Sequence, residues 1–140
     1  MIFFNANTPV RAEDAGGHGV GGSVKAAIGS YSLSGTLLAG QVIPMLAVPS
    51  GARIVDVVLS SQALDSGNSL KISIGDKTNP ARYFDASSLA QAGGTERLNL
   101  VDGIAYRYAK SDTVNVVVDV APTIQSATGE FKLLVLYVID

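Results

Sequence analysis

Across residues 53–75 the side chains change character at every second position, and that period leaves few folds open. Val55, Val57, Leu59 and Ala63 fall on one face of an extended chain. Ile54, Asp56, Val58, Ser60 and Gln62 fall on the other. Successive side chains of a strand point to opposite sides, so this run reads as a strand with one buried face. Leu70, Ile72 and Ile74 then alternate with Lys71 and Ser73. A helical period would scatter those three apolar residues around its axis. Asp65-Ser66-Gly67-Asn68 lies between the runs and is made of residues that tolerate left-handed backbone. Two alternating runs around a short glycine-containing turn predict a β-hairpin. Pro49-Ser50-Gly51 is the turn that leads into it.

The same signature recurs along the chain. Residues 24–33 predict a strand. Residues 41–48 predict another, interrupted by Pro44, and a proline there belongs at a sheet edge or a bulge. Residues 77–92 predict a loop with one helical turn over 86–91, capped by Asp85 and ended by Gly93-Gly94. Residues 104–108 predict a short strand with Tyr106 and Tyr108 on one face. Residues 113–120 predict a strong strand, with Val114, Val116 and Val118 on one side. Residues 131–139 are apolar on both faces, as in a strand that is central or covered by a partner. Seven or eight strands between Gly, Pro and Asn turns predict an all-β, antiparallel two-sheet sandwich. A jelly roll of about eight strands fits best, with an immunoglobulin-like sandwich second.

Residues 1–23 read differently. Five glycines fall between positions 16 and 22, and such a stretch cannot by itself offset the entropy of ordering. It predicts a flexible Gly-rich N-terminal arm, followed by a β-sandwich domain over 24–140. An alternative is an arm that orders against a neighbouring subunit, anchored by Phe3 and Phe4. Its glycines lack the Gly-Lys-Ser/Thr ending of a phosphate loop.

The chemistry points away from catalysis. The chain has 140 residues, one His and no Cys, so no zinc site of His and thiolate ligands assembles within it. A Ser-His-Asp triad has only His18 to draw on, and His18 sits among glycines. Of the aspartates, Asp56 and Asp119 lie mid-strand and are expected to face solvent, while the others lie at turns. Asp65 to Asn68 lacks the spaced oxygen ligands of a known calcium loop. No cofactor is expected. A net charge of −2 leaves no basic footprint for nucleic acid. The longest apolar run, residues 133–139, is too short to span a membrane, and the start MIFFNANTPV lacks a basic leader, so a soluble chain is expected. Tyr31, Tyr106, Tyr108 and Tyr137 form a sugar platform only if exposed together, and there is no Trp. The most distinctive loop, residues 75–85, carries Arg82, Tyr83 and Phe84 in succession. Arg and aromatic residues are enriched in interface cores, so these three are candidate partner contacts. The other reading folds Tyr83 and Phe84 back to plug the end of the sandwich.

The run PSGARIVDVVLSSQALDSGNSLKISIGDKTNPARYF resembles small structural proteins from the head and tail gene clusters of tailed bacteriophages. The shared features are the Pro-Gly-Ala-Arg-Ile entry, the ALD-turn-SL segment and the GD…P-R-Y/F segment, over roughly residues 40–110. The resemblance is nearest in kind to capsid decoration, or cement, proteins. It implies a non-enzymatic β-sandwich that forms a homotrimer and binds the major capsid protein on the outside of the head. The chain would then be made in the host cytoplasm and reside at the virion surface. An N-terminal arm reaching across capsomers would give residues 1–23 a role. Another virion component (tail, neck or head-fibre base) and a carbohydrate-binding module remain as alternatives.

Overall fold

The structure is a computed structural model and describes residues 23–139. Eight strands form: β1 (Lys25–Ser32), β2 (Val42–Val48), β3 (Ala52–Ser61), β4 (Lys71–Gly75), β5 (Phe84–Ser87), β6 (Gly94–Arg97), β7 (Asp112–Val120) and β8 (Glu130–Ile139). One short helix, α1 (Leu89–Ala92), separates β5 from β6. The strands make two four-stranded sheets, in the orders β1-β8-β3-β6 and β2-β7-β4-β5. The first strand pairs with the last, the second with the seventh, the third with the sixth and the fourth with the fifth, all antiparallel. That pairing is a long two-stranded ribbon rolled onto itself, which is the jelly-roll topology expected from the strand count.

The core lies between the sheets. Ile54, Val57, Leu59, Phe131, Leu133 and Val135 face inward from one sheet; Ile43, Ile72, Ile74, Val114, Val116 and Val118 face them from the other. Burying each such side chain stabilises by roughly 1.5–3 kcal/mol, so the core alone accounts for the choice of inward faces. Pro44 sits where its missing N–H does least harm, on edge strand β2 beside a register shift. Strand β8 is central, between β1 and β3. Gly51 takes φ 85° in the turn before β3, as the Pro49-Ser50-Gly51 sequence predicts.

Four expectations are corrected. Strands β3 and β4 do not form a hairpin, because they belong to different sheets, and the turn between them is a crossover. The alternation in β3 changes phase at Val55, where a bulge between Ile54 and Asp56 inserts one extra residue. Ile54 is therefore buried and Val55 exposed, the reverse of an unbroken alternation. Residues 84–87 and 94–97 are strands rather than loop, and the helical turn begins at Leu89, after Ser88 and not after Asp85. Residues 104–108 make one isolated bridge, Arg53 to Arg107, and not a strand. Ala105 at φ 60° breaks the extended run there, although the Ile54 N–H still donates to the Tyr106 carbonyl and the Tyr108 N–H to the Ala52 carbonyl. The arm over 1–23, with Phe3, Phe4 and His18, falls outside the described residues except for Ser23.

Candidate functional site

Three features stand out from the bare sandwich: two buried aspartate clusters at its ends and an apolar outer sheet face. Asp65 follows β3, where the chain crosses between sheets, and is 1% exposed. One of its oxygens accepts the N–H groups of Gly67 at 2.8 Å and Ile124 at 2.9 Å. The other accepts those of Ser69 and Leu70 at 2.9 Å and Thr123 at 3.3 Å. Burial pushes this carboxyl up, but the N–H groups of Ile124, Ser69, Leu70 and Gly67 outweigh it and hold it well below the usual carboxylate range. One side chain thus ties the β3–β4 crossover to the β7–β8 connection. Both oxygens are saturated by N–H donors, so they present nothing to a calcium ion. The adjoining cleft of about 530 Å³ is lined by Asn68, Gln91, Gln125 and Ser126 among others.

The second cluster is built on the loop after β4. Gly75 permits the loop to fold over the strand end, since a Cβ there would lie 2.1 Å from the Asn79 carbonyl oxygen. Asp76, buried, accepts the N–H groups of Thr78 at 3.0 Å and Asn79 at 2.9 Å. Its other oxygen accepts Arg82 Nε at 2.6 Å and the Tyr108 hydroxyl at 2.9 Å. Tyr108 spends its only proton there, so the Tyr83 hydroxyl, 2.6 Å away, donates to Tyr108. The Arg82 guanidinium also lies 3.5 Å from the centre of the Tyr106 ring, a cation–π contact. Burial works against the charge on Asp76, yet Arg82, the Asn79 N–H and Tyr108 hold the carboxyl below its ordinary range. Burial likewise opposes the Arg82 charge, and Asp76 more than restores it. Burial raises both Tyr83 and Tyr108 above the usual phenol value.

These shifts fix how stability varies with pH. Carboxyls held low contribute stability that is present above their unfolded value, about 4, and lost as pH falls through the folded one. Phenols held high contribute stability that is present below about 10 and lost as pH rises toward the folded value. The melting temperature is therefore expected to stay level from about pH 4 to about pH 10 and to fall outside that window. Thermal melts across pH check it; a steep loss between pH 7 and pH 5 would contradict it.

Arg82, Tyr83 and Phe84 are thus brought together, but inside the chain, at 8%, 0% and 2% exposure. The folded-back arrangement is the one the structure adopts, and the three support the sandwich end from within. Neither Tyr31, tilted against Phe131 with ring centres 5.4 Å apart, nor Tyr108, packed edge-on to Tyr106 at 4.9 Å, belongs to an open aromatic strip. Asp56 is not solvent-facing as expected: it is 9% exposed and paired with Arg97. Asp119, exposed on β7, accepts a hydrogen bond from Ser73, so the two mid-strand aspartates sit on different sheets. Among the described residues no three His, Asp or Glu side chains group as metal ligands, and no helix is long and apolar enough to cross a membrane.

The third feature is the outer face of β1-β8-β3-β6, aliphatic at its centre. Cross-strand register puts Ile28, Leu134 and Val58 in one row and Ala26, Leu136 and Asp56 in the next. Val138 follows on β8, beside Arg53, and Val24 just precedes β1. Ile28 is 71% exposed, Val24 58% and Val55 49%. Leu134, Leu136 and Val138 are only half-buried, although their strand is central. At the far end Ser30, Lys132, Ser60 and Thr95 form a polar row, and Arg97 closes the β6 side. An aliphatic centre with a polar rim is the anatomy of a protein interface. The outer face of the other sheet is mixed, with Val42, 54% exposed, opposite Val117, and Thr113, Asn115 and Asp119 along β7. Sequence reading marked β8 as apolar on both faces; it lacked the pairing that sets Ile28 and Val58 beside Leu134.

No protein-family model matches the chain, and no curated protein matches it. Solved structures do. A chain in the capsid asymmetric unit of cyanophage Pam1 is 29% identical, with a TM-score of 0.77 over 99% of this chain and 98% of that one. A chain in the capsid of Ralstonia phage GP4 is 26% identical, with a TM-score of 0.77 over 95% of this chain and 90% of that one. A chain in the acidic stable capsid of Helicobacter pylori bacteriophage KHP30 is 19% identical at a TM-score of 0.60, covering 81% and 86%, and shares the fold. These three structural neighbours are chains of bacteriophage capsid structures.

Proposed function

We propose that this chain is a non-enzymatic structural protein of a bacteriophage virion, bound as a decoration protein to the outside of the head. The observation that carries the reading is the near full-length likeness, at 29% identity, to a chain of the Pam1 capsid asymmetric unit. The aliphatic outer sheet face supports it, because monomers rarely leave such a patch uncovered. The partners are the major capsid protein and further copies of the chain, as a homotrimer; nucleic acid and membrane play no part. Phe3 and Phe4 belong to the arm that engages the shell. The mechanism is mass action. A protein that binds the assembled lattice and not its separated subunits stabilises the lattice by RT ln(1 + [L]/Kd) per site. A symmetric oligomer multiplies the effect by holding several sites at once.

The test adds purified chain to heads assembled without it, with occupancy counted by electron microscopy. Regular sites on the outer surface are expected to fill, and the heads to withstand higher temperature. A chain lacking residues 1–23 is expected to fold and leave heads bare. Full-length chain that leaves heads bare at micromolar concentration would sink the decoration reading. Density at the tail or neck alone would shift the assignment to another virion position.

A further inference from the structure

The most exposed large apolar side chain among the described residues is Val101, at 86%, and the loop that carries it is tied down at both ends. We propose that this loop, residues 99–104, is a knob that seats in the cleft over β2 and β7 of a second copy of this chain. The inference rests on the self-association in the proposed function, and it adds the two surfaces that make the contact.

The knob stands opposite the bulge in β3. Strand β6 ends at Arg97, and the Leu98 N–H still donates to the Val57 carbonyl at 2.8 Å. The chain then leaves β3 and returns at Ala105, whose N–H donates to the Ile54 carbonyl at 3.1 Å. Between these anchors the Gly103 N–H closes a turn onto the Leu100 carbonyl at 3.1 Å. Gly103 also packs on Tyr83 so closely that a Cβ would lie 2.6 Å from the ring. Arg53 Nη1 donates to the Ala105 carbonyl at 2.9 Å and holds that residue at φ 60°. The tip is therefore shaped before a partner arrives, and little ordering entropy opposes binding. It presents Val101 and Ile104, the latter 56% exposed, with the exposed Asp102 between them.

The cleft has a volume of about 400 Å³. Its floor is outward-facing, with Val42 opposite Val117, and the loop after β4 walls it with Pro80 and Lys77. Two aliphatic side chains flanking a carboxylate thus meet an aliphatic floor beside an exposed ammonium, and Asp102 finds its counter-charge in Lys77. The two other acids of the cleft are engaged: Asp112 accepts the Thr113 N–H at 2.7 Å, and Asp76 is paired with Arg82. A few side chains filling a pocket carry most of the binding energy of an interface, so knob and cleft supply its anchor.

The loop does not reach the cleft of its own chain. Tied to β3 at both ends, residues 99–104 extend about 12 Å at most. The cleft opens on the far face of the other sheet, and packed sheets alone lie about 10 Å apart. It also lies toward the opposite edge. Strand β1 passes over β2, since a Cβ on Gly29 would lie 2.3 Å from the Met45 carbonyl oxygen, and β6 is at the other end of the β1 sheet. Knob and cleft do not overlap, so each copy gives one and receives one. Such head-to-tail contacts close into a ring when the rotation permits, and a homotrimer is one such ring.

The test uses the absence of cysteine from the chain, which makes introduced thiols the only ones. Val101→Cys and Val42→Cys are made as separate variants, mixed without heads and oxidised mildly. Peptide mass mapping is expected to find links between positions 101 and 42 in excess of links between like positions. Sedimentation velocity gives a second reading. Val101→Glu is expected to keep its melting temperature, because the position is exposed, and to weaken self-association at least about 30-fold. Asp102→Lys is expected to weaken it too, and Lys77→Asp in the same chain to restore it. Folded protein without the link between 101 and 42 would overturn the proposal. A Val101→Glu chain that associates normally would overturn it as well, and if that chain left heads bare the loop would belong to the shell. Linkage where the unaltered chain leaves heads bare would keep this inference and remove the decoration reading; filled heads without linkage would do the reverse.

Discussion

An Asp65→Ala chain is expected to melt more than about 10 °C below the unaltered protein, or to fail to fold at 37 °C. The carboxylate accepts five backbone N–H groups, from Gly67, Ser69, Leu70, Thr123 and Ile124. Alanine leaves those donors facing one another in a site that is 1% exposed. Unpaired buried donors lose far more than the net worth of the bonds they made. The damage spans two connections, since residues 65–70 lead into β4 while 123–124 lie on the way to β8. Asn68 at φ 57° is held in left-handed backbone by the same turn and would relax once the anchor is gone. Asp65→Asn is expected to do nearly as badly, because its amide nitrogen would point a donor at donors. Thermal melts by circular dichroism check both. A drop of less than about 3 °C for Asp65→Ala would show that the turn closes without its carboxylate.

The role of Asp65 marks the limit of what sequence reading reaches. Its local residues announce a turn, and a turn is there. The same residues suit a hairpin and a crossover equally, and the deciding partners, Thr123 and Ile124, lie far along the chain. Strong strands were legible because β-branched residues at period two are sufficient to define them, as in β7 and β8. Strands β5 and β6, reading FDAS and GTER, carry no such pattern and exist through their pairing with β4 and β3. The bulge at Val55 is silent in sequence, since alternation continues through it while the buried face changes. Of the site, the doubly apolar β8 was visible, but its neighbours Ile28 and Val58 came only with topology.

Arg82 offers the sharpest separation between a residue that supports the fold and one that touches a partner. Interface anchors and buried networks draw on the same side chains, so Arg-Tyr-Phe in a loop does not distinguish them. The ion pair with Asp76, on the same loop, places Arg82 in the second class. Arg82→Met keeps the aliphatic stem and removes the charge, leaving Asp76 buried with its two N–H donors and the Tyr108 hydroxyl. Breaking a buried pair from one side costs about 3–5 kcal/mol, and that is the loss expected in denaturant titration. Tyr83→Phe removes only the outer hydroxyl of the chain Tyr83 to Tyr108 to Asp76, and is expected to cost about 1 kcal/mol. Asp76→Asn alone strands the Arg82 charge over Tyr106, whereas the double variant strands neither charge. The double loss is therefore expected to fall short of the sum of the single ones by at least about 1 kcal/mol. Strict additivity would mean that the two charges do not depend on each other. Head binding supplies the second axis. Below its melting temperature, Arg82→Met is expected to fill heads as the unaltered chain does, because the guanidinium faces inward. A variant of unchanged stability that no longer fills them would instead make Arg82 a direct contact with the shell.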